Sequence, residues 1–558
     1  EVGAMLGLHS PSVPILHQYL VTDPISAVLE FNAASGHALP IIRDPEESWY
    51  VRQERDGLIL GPYEKDARTW SVDGVPPEFG ADLLPADLDR VEHIIEATMA
   101  RIPALADGGI KSVINGPITF SPDANPLIGP AHGLPDAWLL TGSSMGVMEG
   151  GGAGKFLAHW MTTGAPPMDA LAVDPRRFGD WADRDYRINK TVECFGLQFG
   201  VHYTFEERPA ARGKRLSPLH ERMAERGAVF GAAFGWERPN WFSTRQNDEA
   251  VPSFQRTNWF DAVAREVDCV TNRVGLADLS VFSKFEIRGA GARDFVESLG
   301  ANRAPANGRV GLTHALTPAG GVRSEFTVTM LADDHAYLTS AAAAEQMDHD
   351  TLLEHGRRHD VAITNVTGDM AVIGIMGPRA RDILQALTSA DLSTPAFPWL
   401  SARRIEVAGT RLRALRVSYA GELGWELHAG KADLPALFDA LAEEGAAHGI
   451  GHYGAYAMNA MRLEKGYRAW GMDLTTERTP LEAGLGYLVK PDGRDFTGRD
   501  GMLERAHSGQ AWSMHLLEID PGAPDPFYAH TVKHDGAPVG IITSGGYGHR
   551  TGRKLALA

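Results

Sequence analysis

The glycine-rich stretch from Leu139 to Trp160, LLTGSSMGVMEGGGAGKFLAHW, holds residue types and spacings that could do chemistry. An apolar run enters a glycine loop, and a helix is expected to leave it through Phe156, Leu157 and Trp160. Strand, glycine loop and helix is the layout of a phosphate cradle, because backbone N–H groups and a helix N-terminus converge on an anion. The details exclude a triphosphate loop. Its first glycine would be Glu149, and Phe156 follows Gly154-Lys155 where a metal-binding hydroxyl is required. A carboxylate in that place repels phosphate, so the glycines must bring the main chain close to something else.

Shorter patterns point to less. Gly289-x-Gly291 follows a strand and precedes a helix, but Asp294 stands where a dinucleotide fingerprint needs its third glycine, so a strand-to-helix turn is expected. His355 and His359 lie one helical turn apart, as a zinc pair would. Gly356, Arg357 and Arg358 between them bring cation repulsion and no general base, which predicts a solvated surface. Gly227, Gly231 and Gly235, four apart, predict close packing.

These residues need elements to position them. The 558 residues are enough for two to four domains with sizeable cores. ILHQYLVT, GLILGPYE, KSVINGPITF and AWLLTG read as strands, and Val91, Ile94, Ile95, Met99 and Ile102 fall at helical spacing. Residues 1–165 read as one α/β unit, closed by the Pro- and Arg-rich junction TTGAPPMDALAVDPRRFGD. A middle domain over 166–235, an α+β domain over 236–505 and a strand-rich barrel segment over 506–558 follow. The net charge of -18 argues against nucleic acid as a partner. Two cysteines exclude a disulfide framework and a four-cysteine zinc site, and point to a reducing compartment. No apolar run approaches the ~20 residues of a membrane span. The chain opens on Glu1 with no targeting segment in view, and reads as an internal fragment of a cytoplasmic protein, or of a mitochondrial matrix protein if eukaryotic.

Two wider constellations remain. The first joins VPILHQYLVT to RDPEESWYVRQERDGLILGPYE and the glycine loop. The second is GGVRSEFTV, RVSYAGELGWEL and MRLEKGYRAWGMDLTTERTPLEAGLG. In this order they resemble the dimethylglycine and sarcosine dehydrogenase family, flavin amine oxidoreductases fused to a folate-binding aminomethyltransferase module like that of the glycine cleavage system. The resemblance runs over nearly the whole chain. It implies an α+β multidomain fold: the C-terminal part of a FAD-dependent amine oxidoreductase with an antiparallel sheet, an aminomethyltransferase-like domain, and a truncated β-barrel. It also implies FAD and tetrahydrofolate as cofactors, a small methylamine substrate, and an electron-transfer flavoprotein or oxygen as oxidant. No metal site and no membrane contact are expected.

The resemblance assigns roles residue by residue. Gly142, Ser143, Ser144, Met145, Gly146, Val147 and Met148 become the flavin-edge loop, with Gly150 to Gly154 a tightly packed helix start. A positive helix end suits the negative charge of reduced flavin. Many relatives carry a histidine in this loop, whereas SSMGVM has none. His17 becomes the acceptor of the proton that an ammonium substrate must lose before hydride leaves, and Tyr50 its relay. Tyr19 shares the strand face of His17, and Arg52, two residues past Tyr50, is matched to the substrate carboxylate. Glu325 stands in the place of an essential aspartate, its extra methylene moving the oxygens by about a bond length. Glu422 is matched to the pterin-binding glutamate, Tyr419 to a stacking ring, and Arg462 to a site arginine, with an ion pair to Glu464 or Glu482 as its other reading. Two further readings stand beside the enzyme: a non-catalytic relative like the pyruvate dehydrogenase phosphatase regulatory subunit, and a plain folate-dependent aminomethyltransferase.

Overall fold

A computed structural model describes every residue except 1, 9, 81, 246, 247, 510 and 511. It divides into two compact units, one comprising 1–157, 172–202 and 208–211, the other 158–171, 203–207 and 212–558.

The first unit is built on five strands: β1 (Val13–Thr22), β2 (Ile42–Asp44), β3 (Trp49–Glu54), β4 (Gly57–Pro62) and β5 (Ile110–Phe120). Their order is β2-β3-β4-β1-β5, and every pair is antiparallel. In β1 the residues Val13, Ile15, Gln18, Leu20 and Thr22 are buried. Leu20, Val51, Leu58 and Leu60 pack on one face with Ile94 of α1 (Glu92–Arg101), which is how the helical apolar spacing is spent. Central β4 is buried along its whole length, so its sequence reads as a continuous apolar run. The opposite face carries Ile15, Tyr63 and Phe120, covered by Phe195 from further along the chain. Two short strands, β6 (Leu127–Pro130) and β7 (Trp138–Thr141), lead into α2 (Gly146–Thr163), and α3 spans Arg184–Gly196.

The second unit opens with the hairpin β8 (Ala228–Ala233) and β9 (Trp236–Phe242), then α4 (Phe260–Asn272) and β10 (Gly275–Asp278). There follow β11 (Ser283–Arg288), α5 (Ala292–Leu299), β12 (Arg309–Leu316), β13 (Val322–Ala332), β14 (His335–Ser340), α6 (Glu345–Gly356), β15 (Ala362–Asn365) and β16 (Met370–Met376). The last part of this core is β17 (Ala402–Val407), β18 (Thr410–Leu415), β19 (Gly424–Gly430), α7 (Leu434–Gly445), β20 (Gly451–His452) and α8 (Ala455–Glu464). They form a six-stranded sheet, β17-β18-β19-β16-β10-β20, and a five-stranded sheet, β12-β13-β14-β11-β15. Each sheet has its own apolar core, centred on Ile373, Trp425 and Leu427 in the first and on Phe285, Phe326 and Leu338 in the second. After residue 512 come β21 (Leu516–Ile519), a hairpin of β22 (Thr531–His534) with β23 (Ala537–Ile541), β24 (Ser544–Gly548) and β25 (Arg553–Leu557).

Gly289 follows β11 at φ 137°, and a Cβ there would lie 2.3 Å from the carbonyl oxygen of Asp360. The glycine is required by that backbone approach and by its φ, as a strand-to-helix turn demands.

Candidate functional site

In the first unit, strand register gathers several of the sequence candidates on one sheet face. Tyr50 lies opposite Gly61, and Leu20 opposite Leu60, which sets Tyr19 beside Gly61 one residue further along. His17 lies opposite Gly116, and alternation puts His17 and Tyr19 on the same face. The Tyr50 ring covers Gly61 so closely that a Cβ would meet its Cε1 at 2.1 Å. Burial raises the Tyr50 pKa above its ordinary value, so the phenol stays protonated and acts as a hydrogen-bonding group.

His17 departs from its expected role. Its ring packs 4.7 Å from Tyr63 and 5.8 Å from Phe195, and its Nδ1 is buried without a hydrogen-bond partner among the described residues. Burial, with Arg90 nearby, lowers its pKa to about 4. An imidazole so weakly basic is a poor acceptor for an ammonium proton. Arg52 donates to Glu54 at 2.8 Å and to the carbonyl of Gln53, in a pair that stays partly exposed. A guanidinium that sequence reasoning passed over, Arg90, is buried 2.9 Å from Glu64. In the sequence it looks like an ordinary polar residue at a helix start.

The glycine loop is as open as its composition suggests. Gly142 follows β7 at φ 74°, Ser143 donates to Glu149, and α2 begins at Gly146. The expectation of a tightly packed helix start fails: Cβ atoms built at Gly146, Gly150, Gly151, Gly152 and Gly154 meet nothing within 4 Å. Val147 and Met148 beside them are exposed apolar side chains. Bare main chain, exposed apolar groups and a helix N-terminus fit the flat ring of a flavin, which glycine allows to approach closely.

The second unit holds a cavity of about 410 Å³. Glu325, Tyr419, Glu426, His428, Lys284 and Trp470 are among the residues that line it. Glu325 reaches it because β13 alternates: Ser324, Phe326 and Val328 are buried while Glu325 and Thr327 turn to the cavity. Directly opposite Glu325 in the register is His314, fully buried, whose Nε2 lies 2.8 Å from the Glu325 carboxylate. The His314 Nδ1 is buried without a partner among the described residues. Tyr419, in the loop between β18 and β19, donates its hydroxyl to the carbonyl of Arg468 at 2.8 Å, and its ring is stacked 6.1 Å from Tyr467. Burial raises its pKa, which keeps that hydroxyl a donor.

Glu422, the sequence candidate for the pterin contact, is displaced from that role. It precedes β19 and pairs with Lys465 at 3.2 Å and Arg550 at 2.9 Å, away from the cavity lining. Glu426, four residues later and on the strand itself, lines the cavity instead. Two-residue alternation in GWELH was the available signal, since it puts Glu426 and His428 on one face. Arg462, unlike Glu422, does line the cavity, and its guanidinium is held in place by several partners. Its guanidinium meets Asp473 at 2.8 Å, Ser544 at 2.8 Å, Asn459 at 2.9 Å and the carbonyl of Tyr467 at 2.9 Å. Its ion-pair partner is therefore Asp473; Glu482 pairs with Arg505. Lys284, also missed, donates to the carbonyls of Ser280 and Phe282 at 2.8 and 2.6 Å, and burial lowers its pKa to about 8.

Of the lesser patterns, His355 and His359 are half-buried and share the Ser298 hydroxyl at 2.9 and 3.1 Å, where a solvated surface was expected. Their rings close on Phe295, whose apolar surface outweighs the flanking arginines. Among the described residues no three His, Cys, Asp or Glu side chains are grouped to hold a metal. No helix among them is long and apolar enough to cross a membrane.

Comparison with known proteins follows this division. Four family models match in succession: FAD dependent oxidoreductase over residues 1–160, FAD dependent oxidoreductase central domain over 163–217, GCVT N-terminal domain over 219–493, and glycine cleavage T-protein C-terminal barrel domain over 513–558. Fold and site thus define a flavin-dependent oxidoreductase module joined to an aminomethyltransferase-like module. "Dimethylglycine dehydrogenase, mitochondrial" of Homo sapiens is 40% identical over 568 residues, covering 100% of this chain and 65% of the relative. An aminomethyltransferase of Lysinibacillus sphaericus (strain C3-41) is 32% identical over 334 residues, 59% of this chain and 85% of the relative. The solved structure of glycine cleavage system aminomethyltransferase T from Bartonella henselae shares the fold, with a TM-score of 0.53 at 23% identity over 62% of this chain and 89% of that one. The chain belongs to the dimethylglycine and sarcosine dehydrogenase family. It spans 65% of the length of its human relative.

Proposed function

We propose that the protein oxidises an N-methyl glycine, dimethylglycine or sarcosine, and passes the one-carbon unit to tetrahydrofolate. The observation that carries this reading is the cavity of the second unit, into which two carboxylates from different sheets, Glu325 and Glu426, open beside the Tyr419 ring. The aminopterin edge of a folate offers two N–H donors, and a carboxylate accepts both at once. Glu426 is suited to that contact, Tyr419 to flanking the ring. Glu325, backed by His314, is suited to take the proton released when a folate nitrogen bonds the one-carbon unit.

In the first unit a bound flavin would supply the hydride acceptor. Main chain from Gly142 to Met148 is suited to the ring edge, and Tyr50 and Tyr19 to orienting the amine by hydrogen bonds. His17 serves this face by packing. Under this reading residues 1–165 act in oxidation, 166–235 link, 236–505 bind folate and 506–558 begin the barrel. An electron-transfer flavoprotein or oxygen takes the electrons. Two cysteines that are both free and buried accord with a reducing compartment, such as the cytoplasm or a mitochondrial matrix. Calorimetric titration with 5-formyl-tetrahydrofolate tests the folate assignment: wild type should bind with one site per chain, and Glu426→Gln should bind at least about tenfold more weakly. Equal affinities would remove Glu426 from the site.

A further inference from the structure

Glu426 is joined to a buried chain of hydrogen bonds that the proposed reaction does not use, through His428, which lines the same cavity. His428 Nε2 is 3.2 Å from the Glu426 carboxylate, and His428 Nδ1 is 3.0 Å from the Tyr337 hydroxyl. His428 is 1% exposed and Tyr337 is fully buried. Three strands supply the parts: β19 carries Glu426 and His428 two residues apart on one face, β14 carries Tyr337, and β18 carries Arg413, whose guanidinium lies 4.7 Å over the Tyr337 ring.

Chemistry leaves this chain one arrangement. Burial lowers the His428 pKa, with Lys284 and Arg413 pushing the same way against Glu426, so the ring is neutral and bears a single N–H. An ionised carboxylate can only accept, which requires that hydrogen on Nε2. Nδ1 must then accept, and Tyr337, whose pKa is raised by burial, remains a hydroxyl able to donate. Both ring nitrogens of His428 are satisfied in this tautomer, and the reverse tautomer would set two lone pairs against each other at Nε2.

We propose that His428 and Tyr337 are positioning residues for the folate site: the Tyr337 hydroxyl fixes the His428 tautomer, and His428 Nε2–H then holds one oxygen of Glu426 so that the carboxylate faces the ligand. This rests on Glu426 meeting the pterin edge. A carboxylate held at one oxygen loses less rotational freedom on binding and stays aimed at a planar pair of donors.

The test is calorimetric affinity for 5-formyl-tetrahydrofolate on the full chain, with thermal melts of the free protein to establish folding. His428→Phe should weaken binding about tenfold, whereas His428→Gln, whose amide N–H can replace Nε2–H, should stay within about threefold of wild type. Tyr337→Phe should cost about three- to tenfold, and Tyr337→Phe with His428→Phe should be no worse than His428→Phe alone, because the tyrosine acts only through the histidine. Additive losses, or a folded His428→Gln variant as weak as His428→Phe, would overturn the proposal. A Glu426→Gln variant measured alongside separates the two levels. If it binds as wild type, the folate reading itself fails; if it weakens while His428→Phe and Tyr337→Phe do not, only the positioning roles fall.

Discussion

Glu325 stands where a shorter carboxylate was expected, and the structure gives the longer side chain a fixed partner, His314, on the adjacent strand. Glu325→Gln keeps the size and removes the charge. Under the proposed function it should leave folate affinity within a few-fold of wild type while diverting the product of amine oxidation from methylene-tetrahydrofolate to formaldehyde, measured by assaying both products under turnover. The two glutamates of YAGELGWE should behave differently. Glu426→Ala should cost about 1.5 to 3 kcal/mol of folate binding, ten- to a hundredfold, while Glu422→Ala, which breaks a partly exposed pair with Lys465 and Arg550, should change it little. His17 makes a prediction about pH. Its pKa falls from 6.5 to about 4 on folding, so the unfolded chain binds the extra proton between those values. The stabilisation is complete above about pH 6.5, declines as the pH falls toward 4, and changes no further below it, for a total of up to roughly 3 kcal/mol. Urea unfolding of His17→Gln at pH 7.5, 5.5 and 4.5 should therefore show a shallower acid loss than wild type.

At the scale of elements, the antiparallel hairpin of β3 and β4 decides what the first unit can present. Gly61 leaves room for the Tyr50 ring to lie across the sheet, and any side chain there would drive the ring off. Gly61→Ala should cost about 1 to 3 kcal/mol of stability in the first unit and slow oxidation of the amine, with folate affinity in the second unit unchanged. Stopped-flow flavin reduction beside folate calorimetry would read the two effects separately. The strands that frame this face were legible in the sequence, since β4 is an apolar run of strand length and β1 and β5 are rich in β-branched and aromatic residues. The antiparallel pairing was not, because a continuously apolar strand such as β4 does not announce which neighbour it takes.

At the scale of the whole molecule, the two units have separate cores and, in the proposed function, separate ligands. A ligand that binds one folded unit stabilises that unit by mass action. Scanning calorimetry with 5-formyl-tetrahydrofolate at about a hundredfold excess over its dissociation constant should raise the transition of the second unit by an amount equivalent to roughly 2.7 kcal/mol and leave that of the first in place. A single transition moving as a whole would mean that the units unfold together.

The sequence by itself determined the local elements, the glycine turns, the order of the modules and the family, because these depend on neighbouring residues or on long ordered motifs. Strand-to-helix geometry at Gly289 and the apolar periodicity of α1 are examples. Only the tertiary structure decided which side chains share a cavity. Glu422 and Glu426 belong to one motif, yet one precedes the strand and turns to Lys465 and Arg550 while the other is carried on it to the cavity. His314, Tyr337 and His428 come from three strands, and cross-strand register and neighbouring sheets place them. The fate of His17 was decided in the same way, by Tyr63 and Phe195 closing over a residue whose type alone suggested a base. Residue type states what a group can do in water; burial and partners, set by chain segments far away in sequence, fix its charge, its tautomer and what it can reach.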